Sequence, residues 1–305
     1  MGEPGLAMFQ QHRGRMFGIA YRMLGSVTEA DDVLQEAWLR WQTVDHAGVK
    51  EPAAFLAKTV TNLCLTHLTT ARARRETYVG EWLPEPVLTG PNLPELSPLD
   101  LAEQRESVSF ALLKVLEHLT PAERAAYVLR EAFAYGHREV GDLIGTTEAN
   151  ARQLHSRARK HVATTQHARP VDVGQWRALV ERFLAAAQFG DVDRLADLLA
   201  ADIVSRADGG GKVHAARNPV SGRDRVARYL IGVLQRFGAG VVPTFGEANG
   251  EPVIVAVDTD GIRAVCFFEF DGDLLTSMDL AMNPDKLVLA AAQLSRIGGL
   301  SSQGW

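Results

Sequence analysis

Residues 136–160 read GHREVGDLIGTTEANARQLHSRARK, and the order of residue types specifies two short helices about a tight turn. Val140, Leu143 and Ile144 share one face of the first helix. Gly145 permits the turn, and Thr146 or Thr147 can cap the second helix by accepting from its free N–H groups. In the second helix Ala151, Leu154 and Ala158 recur at helical spacing and pack inward, leaving Arg152, Gln153, Ser156, Arg157, Arg159 and Lys160 outside. This is the pattern of a helix-turn-helix with a basic second helix, suited to the DNA major groove. Between Asn150 and Pro170 there are five Lys or Arg and no carboxylate, in a chain of formal net charge −5, so the positive field is local. A basic helix end also complements the macrodipole, and glycine-turned helix pairs occur in all-α proteins generally. The rest of the chain decides between these readings.

At 305 residues the chain is long for one core, and two or three domains are expected. A net negative charge excludes a protein that coats nucleic acid by electrostatics alone. Cys64 and Cys266 lie far apart in apolar stretches, which fits buried thiols in a reducing cytoplasm and excludes a sequence-local zinc cluster; no metal or other cofactor is expected. No apolar run reaches the length of a membrane span and the N-terminus has no signal-peptide core, so a cytoplasmic protein without membrane contact is expected.

Outward toward the N-terminus, residues 6–75 are wholly helical in pattern. Phe9, Met16, Phe17, Ala20, Tyr21 and Leu24 form an apolar stripe, which Gly25-Ser26 breaks. Ser26 or Thr28 can cap a second helix, TEADDVLQEAWLRW (28–41), whose early acids suit the positive end of the dipole. Its buried side is Val33, Leu34, Ala37, Trp38 and Trp41, and Asp32, Gln35, Glu36 and Arg40 form an outer polar stripe. A third helix opens at Glu51-Pro52 and ends in Arg72, Arg74 and Arg75.

From 77 to 101 five prolines and two glycines exclude a helix. Tyr78, Trp82, Leu83, Val87 and Leu88 are too apolar for a solvated linker, so part of this connector is expected to dock on a folded surface. A second helical block, 102–165, contains AEQRESVSFALLKVLEHL (102–119), then a helix with Thr120-Pro121 as cap and first-turn proline, then the helix-turn-helix. After Val173 the texture becomes mixed. The runs 174–190, 191–200 and 222–237 are amphipathic helices, the last opened by Ser221 with Asp224. IVSRA (203–207) and KVHAA (212–216) read as short strands flanking Gly209, Gly210 and Gly211. GVVPTF, PVIVAVDT, IRAVCFFEF and DLLTSMDLAM follow as strands. Helices first and a strand meander afterwards specify an α+β domain with a curved sheet.

DDVLQEAWLRW (31–41) followed by EPAAFLAKTVTNLCLTHL (51–68) resembles the promoter-melting domain of the extracytoplasmic-function sigma factors. Residues 119–160 resemble their second DNA-binding domain, in the same order and at the right separation. WLPEP (82–86), DGGGK (208–212) and NPDKL (283–287) resemble a subgroup with a C-terminal extension of the SnoaL-like, cone-shaped α+β type. The resemblance implies a multidomain fold: sigma region 2 in 1–76, a docking linker in 77–101, region 4 in 102–165, a SnoaL-like regulatory domain in 172–294 and a tail in 295–305.

It implies that Asp31, Asp32, Gln35 and Glu36 bind the β′ clamp helices of core RNA polymerase, with the β flap as a second contact. Asn62 falls where the family contacts a flipped-out base of the minus-ten element, with Lys58, Arg72, Arg74 and Arg75 near the backbone and Thr66 and Thr69 in place of the usual Asp and Arg. Arg152, Gln153, Ser156 and Arg157 match positions facing the minus-35 element of promoter DNA, followed by Arg159 and Lys160. In the subgroup the C-terminal domain regulates sigma activity and takes the place of a separate anti-sigma factor. Trp82, Leu83 and Pro84, the loop Asp208, Gly209, Gly210, Gly211 and Lys212, and the segment Asn283, Pro284, Asp285, Lys286 and Leu287 are the implied regulatory contacts. The glycine loop also fits an ordinary hairpin turn, and it lacks the Gly-Lys-Ser/Thr run of a nucleotide-binding loop. Fold relatives of the cone include enzymes that move a proton with an Asp, making Asp208, His214, Asp258 and Asp279 the residues to inspect; no acid–base pair is marked by their spacing, and no enzymatic activity is expected. A stand-alone, ligand-responsive helix-turn-helix regulator is the alternative.

Overall fold

The computed structural model describes residues 3–75, 77–89, 109–165 and 172–296. They divide into two compact units: a helical unit, and a second unit that combines residues 78–89 with the chain from 172 onward.

The helical unit begins with α1 (Glu3–Leu24), α2 (Val27–Gln42) and α3 (Pro52–Arg75). Ser26 caps α2 by accepting from the Glu29 amide at 3.2 Å. The helix buries Val27, Ala30, Val33, Leu34, Ala37 and Trp41. Trp41 donates its indole N–H to the Gly5 carbonyl at 2.8 Å, which satisfies the polar atom of a fully enclosed ring. The second half contains α4 (Phe110–Leu116), α5 (Pro121–Glu131), α6 (His137–Ile144) and α7 (Glu148–Thr165). Thr120 and Glu123 form a reciprocal capping box at the start of α5, with Pro121 in the first turn.

Three arginines join the halves. Arg124 of α5, only 3% exposed, donates to the Met23 carbonyl of α1 at 2.7 Å and to Glu117 at 2.8 Å. Arg15 donates to the Phe133 carbonyl at 3.4 Å and lies 4.8 Å from the Tyr135 ring centroid. Arg22 sits over the Phe133 ring at 5.1 Å. Burial pushes the Arg22 and Arg124 guanidiniums down to about 10, which still leaves them charged at neutral pH.

In the second unit α8 (Val173–Phe189), α9 (Val192–Asp197) and α10 (Arg223–Phe237) pack with a sheet of order β1-β4-β5-β6-β7-β2-β3 among the described residues. The strands are β1 (Leu88–Thr89), β2 (Leu199–Asp208), β3 (Val220–Ser221), β4 (Val242–Ala248), β5 (Glu251–Asp258), β6 (Gly261–Asp271) and β7 (Leu274–Ala281). β2 and β7 run parallel and every other neighbouring pair is antiparallel. Ile254, Cys266, Phe268 and Met278 meet Trp176, Phe183, Leu230 and Ile231 in the main core. Trp176 and Phe183 both pack edge-on to Phe268. Val253, Val255, Val265 and Phe267, on the alternate face, are buried as well, and α11 (Val288–Arg296) packs against β6.

Two local expectations are corrected. KVHAA is not a strand: the Lys212 and Val213 amides both turn back to the Gly209 carbonyl, so the backbone there closes a turn instead of a ladder. Gly209–Gly211 is therefore the start of a long loop between β2 and the short β3. Ser221 ends β3, and Gly222 stands at the N-cap of α10 without a side-chain cap bond.

Arg124→Ala would leave Glu117 and the Met23 carbonyl without their buried cation, at an expected cost of about 3–5 kcal/mol. The check is urea unfolding of the full chain followed by far-UV circular dichroism, in which the transition of the helical unit should move to lower urea.

Candidate nucleic-acid interface and linker clamp

The helix-turn-helix is set by two close packings. Gly145 ends α6 in the left-handed conformation at φ 74°. At Gly141, inside α6, a Cβ would lie 2.7 Å from the Thr146 carbonyl oxygen, so only glycine lets the turn fold back this tightly. Thr147 caps α7 by accepting from the Asn150 amide at 3.2 Å. Ala151, Ala158 and Val162 are buried, and Leu154 is half-buried. His155 is buried too: its Nε2 lies 2.6 Å from Glu131, and the ring meets His137 edge-on at 5.3 Å. It ties α7 to α5 and α6.

Arg152, Gln153, Ser156, Arg157, Arg159 and Lys160 all lie exposed on α7. Arg152 pairs with Glu148 at 2.9 Å, and Arg157 approaches Glu123 at 3.9 Å. The exposed Arg152–Glu148 pair is worth little and yields readily to phosphate.

On α3, Lys58 and Asn62 are exposed, and the exposed Thr66 and Thr69 hydroxyls donate back to the Asn62 and Leu65 carbonyls. The side chains of Arg72, Arg74 and Arg75 lie outside the described residues. On α2, Asp32 and Gln35 are exposed; Asp31 pairs with Arg13 at 3.2 Å and Glu36 with Arg40 at 2.7 Å. Leu39, one turn beyond Gln35, is exposed as well, which adds an apolar contact to this acidic stripe.

In the second unit the residues around Asp208 form a clamp on the chain segment 78–89. The Asp208 carboxylate is 0% exposed and accepts four bonds: from Tyr78 Oη, the Leu83 amide at 2.9 Å, Lys286 Nζ at 2.6 Å and the Gly210 amide at 3.1 Å. Lys286 also donates to the Leu83 carbonyl and lies 3.9 Å from the Trp82 ring centroid. Asn283 donates to Tyr78 Oη at 2.9 Å. Burial, and after it the bond to Asp208, pushes the Tyr78 hydroxyl well above its ordinary value, so it remains a donor. Leu83 and Pro84 are buried, Leu287 is buried, and Pro284 is exposed. Gly210 holds φ 59°, where a Cβ would strike Asn283 at 2.3 Å; Gly211 faces Val79. Lys212 pairs with Asp285 at the surface.

Farther along, the segment becomes a strand. Leu88 aligns with Ala248 and Thr89 with Glu247, extending the sheet beyond β4. On its other side Gln293 of α11 accepts from the Leu88 amide at 3.0 Å and donates to the Leu88 carbonyl at 2.9 Å. Both edges of the segment are thereby satisfied.

Asp208, His214, Asp258 and Asp279 do not converge. Asp208 serves the clamp, Asp279 pairs with Arg206 at 3.4 Å, Asp258 pairs with Arg263, and His214 stacks on Phe237 at 5.5 Å. Among the described residues no group of three or more His, Cys, Asp or Glu is arranged to hold a metal ion.

Family models match in two places: Sigma-70 region 2 over residues 8–74 and Sigma-70 region 4 over residues 109–162. The chain is similar to the ECF RNA polymerase sigma factor SigJ of Mycobacterium tuberculosis, 38% identical over 296 residues that span 91% of each chain. It belongs to the extracytoplasmic-function sigma factors. A second relative, the probable ECF RNA polymerase sigma factor SigI of M. tuberculosis, is 26% identical across 96% of this chain and 98% of its own length. The crystal structure of M. tuberculosis SigJ superposes with a TM-score of 0.71 at 34% identity, covering 92% of this chain and 98% of that one.

In this sigma factor α1–α3 lie in region 2, α4–α7 lie in region 4, and α8–α11 with the sheet make a C-terminal α+β domain. Sequence reasoning left out Gly141, His155, Tyr78 as a hydrogen-bond donor, Gln293, and Asn249, whose side chain accepts from the Val87 amide at 3.1 Å. His155 was accessible from spacing, since it extends the 151, 158, 162 face. Gln293 carries no local signal, because its partner is 205 positions away.

Gly141→Val should weaken promoter-duplex binding in the presence of core RNA polymerase, measured by fluorescence anisotropy, while leaving cleavage sites in the 78–89 segment protected. Asp208→Asn leaves Lys286 buried without a counter-charge; the expected outcome is release of the segment, at a cost of about 3–5 kcal/mol, read as rapid cleavage after Glu85 by a glutamate-specific protease.

Proposed function

We propose that this sigma factor binds core RNA polymerase, directs promoter-specific initiation, and is controlled through the hold of its C-terminal domain on the linker between regions 2 and 4. The observation that carries the control is the buried Asp208–Lys286 pair closed around Tyr78, Trp82 and Leu83. Asp31, Asp32, Gln35 and Glu36 form the face for the β′ clamp helices, with Leu39 beside them, and region 4 docks on the β flap. Complementary charge on such a surface speeds encounter and sets orientation. Lys58 and Asn62 read the minus-ten element with help from Arg72, Arg74 and Arg75. Arg152, Gln153, Ser156 and Arg157 enter the major groove at the minus-35 element, with Arg159 and Lys160 on the backbone.

The element centres lie about 85 Å apart at about 3.4 Å per base pair. Regions 2 and 4 are in direct contact through Arg15, Arg22 and Arg124, so reading both elements requires them to part. A linker segment held as a strand cannot simultaneously follow a polymerase surface. The fused domain thus restrains initiation from within the chain, does the work of a separate anti-sigma factor, and performs no chemistry of its own. Function with the core enzyme places the protein in the cytoplasm, and no described helix is long and apolar enough to cross a membrane.

The test is in vitro transcription with core polymerase on a promoter library, comparing the full chain, a form ending at Arg169 and Lys286→Met. Defined start sites for at least one form and higher output from Lys286→Met are expected. Duplex binding without core enzyme and without initiation would favour a stand-alone regulator, whereas unchanged output from a variant whose segment is proteolytically free would remove the linker from the control. Arg15→Ala should loosen the contact between regions 2 and 4 by about 1 kcal/mol, detected as a larger distance between fluorophores placed on α2 and α7.

A further inference from the structure

Beside the clamp, and separate from its buried bonds, the second unit has a cavity of about 270 Å³ lined by Val79 and Gly80 on one side and by Ala207, Gly209 and residues 211–217 on the other. Its chemistry is one-sided. From Gly209 to Arg223 the chain has no carboxylate, while Lys212, His214 and Arg217 all line the space. Asp208 below is neutralised by Lys286, and the only carboxylate set against a lining cation among the described residues is the exposed Asp285 on Lys212. Arg217 makes no ion pair among the described residues.

The lip carrying Lys212, His214 and Arg217 is held in place. The Lys212 and Val213 amides close on the Gly209 carbonyl, the Ala216 backbone hydrogen-bonds Tyr229 of α10, and the His214 ring stacks on Phe237. These same bonds decide which anion fits. The Gly210 amide is spent on Asp208, and those of Lys212 and Val213 on Gly209, so these three amides are withheld from a phosphate. What remains is a planar guanidinium, an ammonium and an imidazole on side chains. A guanidinium matches a carboxylate through two parallel bonds, and a mobile ammonium takes a second as a point charge.

We propose that this cavity binds a small di- or tricarboxylate metabolite, with Arg217 and Lys212 each engaging one carboxylate and His214 closing the side. Lys212 exchanges its exposed pair with Asp285 for the ligand, an exchange that costs little at the surface. Because Val79 and Gly80 form one wall, the ligand binds only the state in which the 78–89 segment is docked, and occupancy stabilises that state by mass action.

The experiment is isothermal titration of the full-length protein with citrate, succinate and inorganic phosphate. It is paired with glutamate-specific proteolysis after Glu85 and uses no polymerase, so it is independent of the transcriptional role. Saturable citrate or succinate binding is expected, weakened about tenfold or more in Arg217→Ala and in Lys212→Ala, together with slower cleavage when citrate is present. Both residues are exposed, and unchanged circular dichroism will show that the variants fold. No saturable carboxylate binding, wild-type affinity in either variant, tighter binding of phosphate than of citrate, or cleavage indifferent to a saturating carboxylate would each overturn the proposal.

Discussion

A carboxylate with no access to water must have its charge answered on the spot, and Asp208 is in that position. Its four donors come from three separate parts of the chain: Tyr78 and Leu83 before region 4, Gly210 beside it in the loop, and Lys286 after the last strand. Gly210 must be glycine because Asn283 occupies the space of a side chain, and Asn283 is there because it donates to Tyr78. The sheet edge then extends the same ordering along the chain, with Asn249 exchanging bonds with Val87 and Gln293 with Leu88. The linker is consequently a structural part of the C-terminal domain.

The helical unit meets the same physical problem with the opposite sign. Arg22 and Arg124 are cations withdrawn from water, and their partners are carbonyl oxygens, Glu117 and the faces of aromatic rings. Carbonyls compensate a charge less fully than a carboxylate does, and each guanidinium retains a buried Nε without a partner. Asp208 and Lys286, by comparison, share a direct pair in a closed shell. Across the contact between regions 2 and 4 the cations thus meet carbonyls and ring faces, where the linker clamp closes on a direct ion pair.

Much of the fold was legible because it rests on short-range rules. The Thr120–Glu123 capping box, the Ser26 cap, the Gly145 turn and the alternating strands from Val242 onward follow from local residue types. The exposed faces of α2 and α7 were legible for the same reason, since helical spacing alone separates Ala151 and Ala158 from Arg152 and Arg157. KVHAA misled because its alternation is that of a strand while the glycines before it fold the backbone onto Gly209. The composition of 77–101 showed that something would cover Trp82 and Leu83, but not that Lys286 would lie over the indole ring. A pairing across about two hundred positions leaves no periodicity to find.

That separation has a consequence in time. Leu88 leaves the ribosome 205 residues before Gln293, the side chain that satisfies its outer edge. At about 5–20 residues per second, synthesis takes on the order of 10–40 s to close that gap. Region 2 is complete at the start of this interval and region 4 from residue 165 onward, while α11 does not exist to receive the linker until its end. Every newly made molecule therefore passes through a brief youth in which regions 2 and 4 precede the domain that holds their linker, and translation speed sets how long that youth lasts.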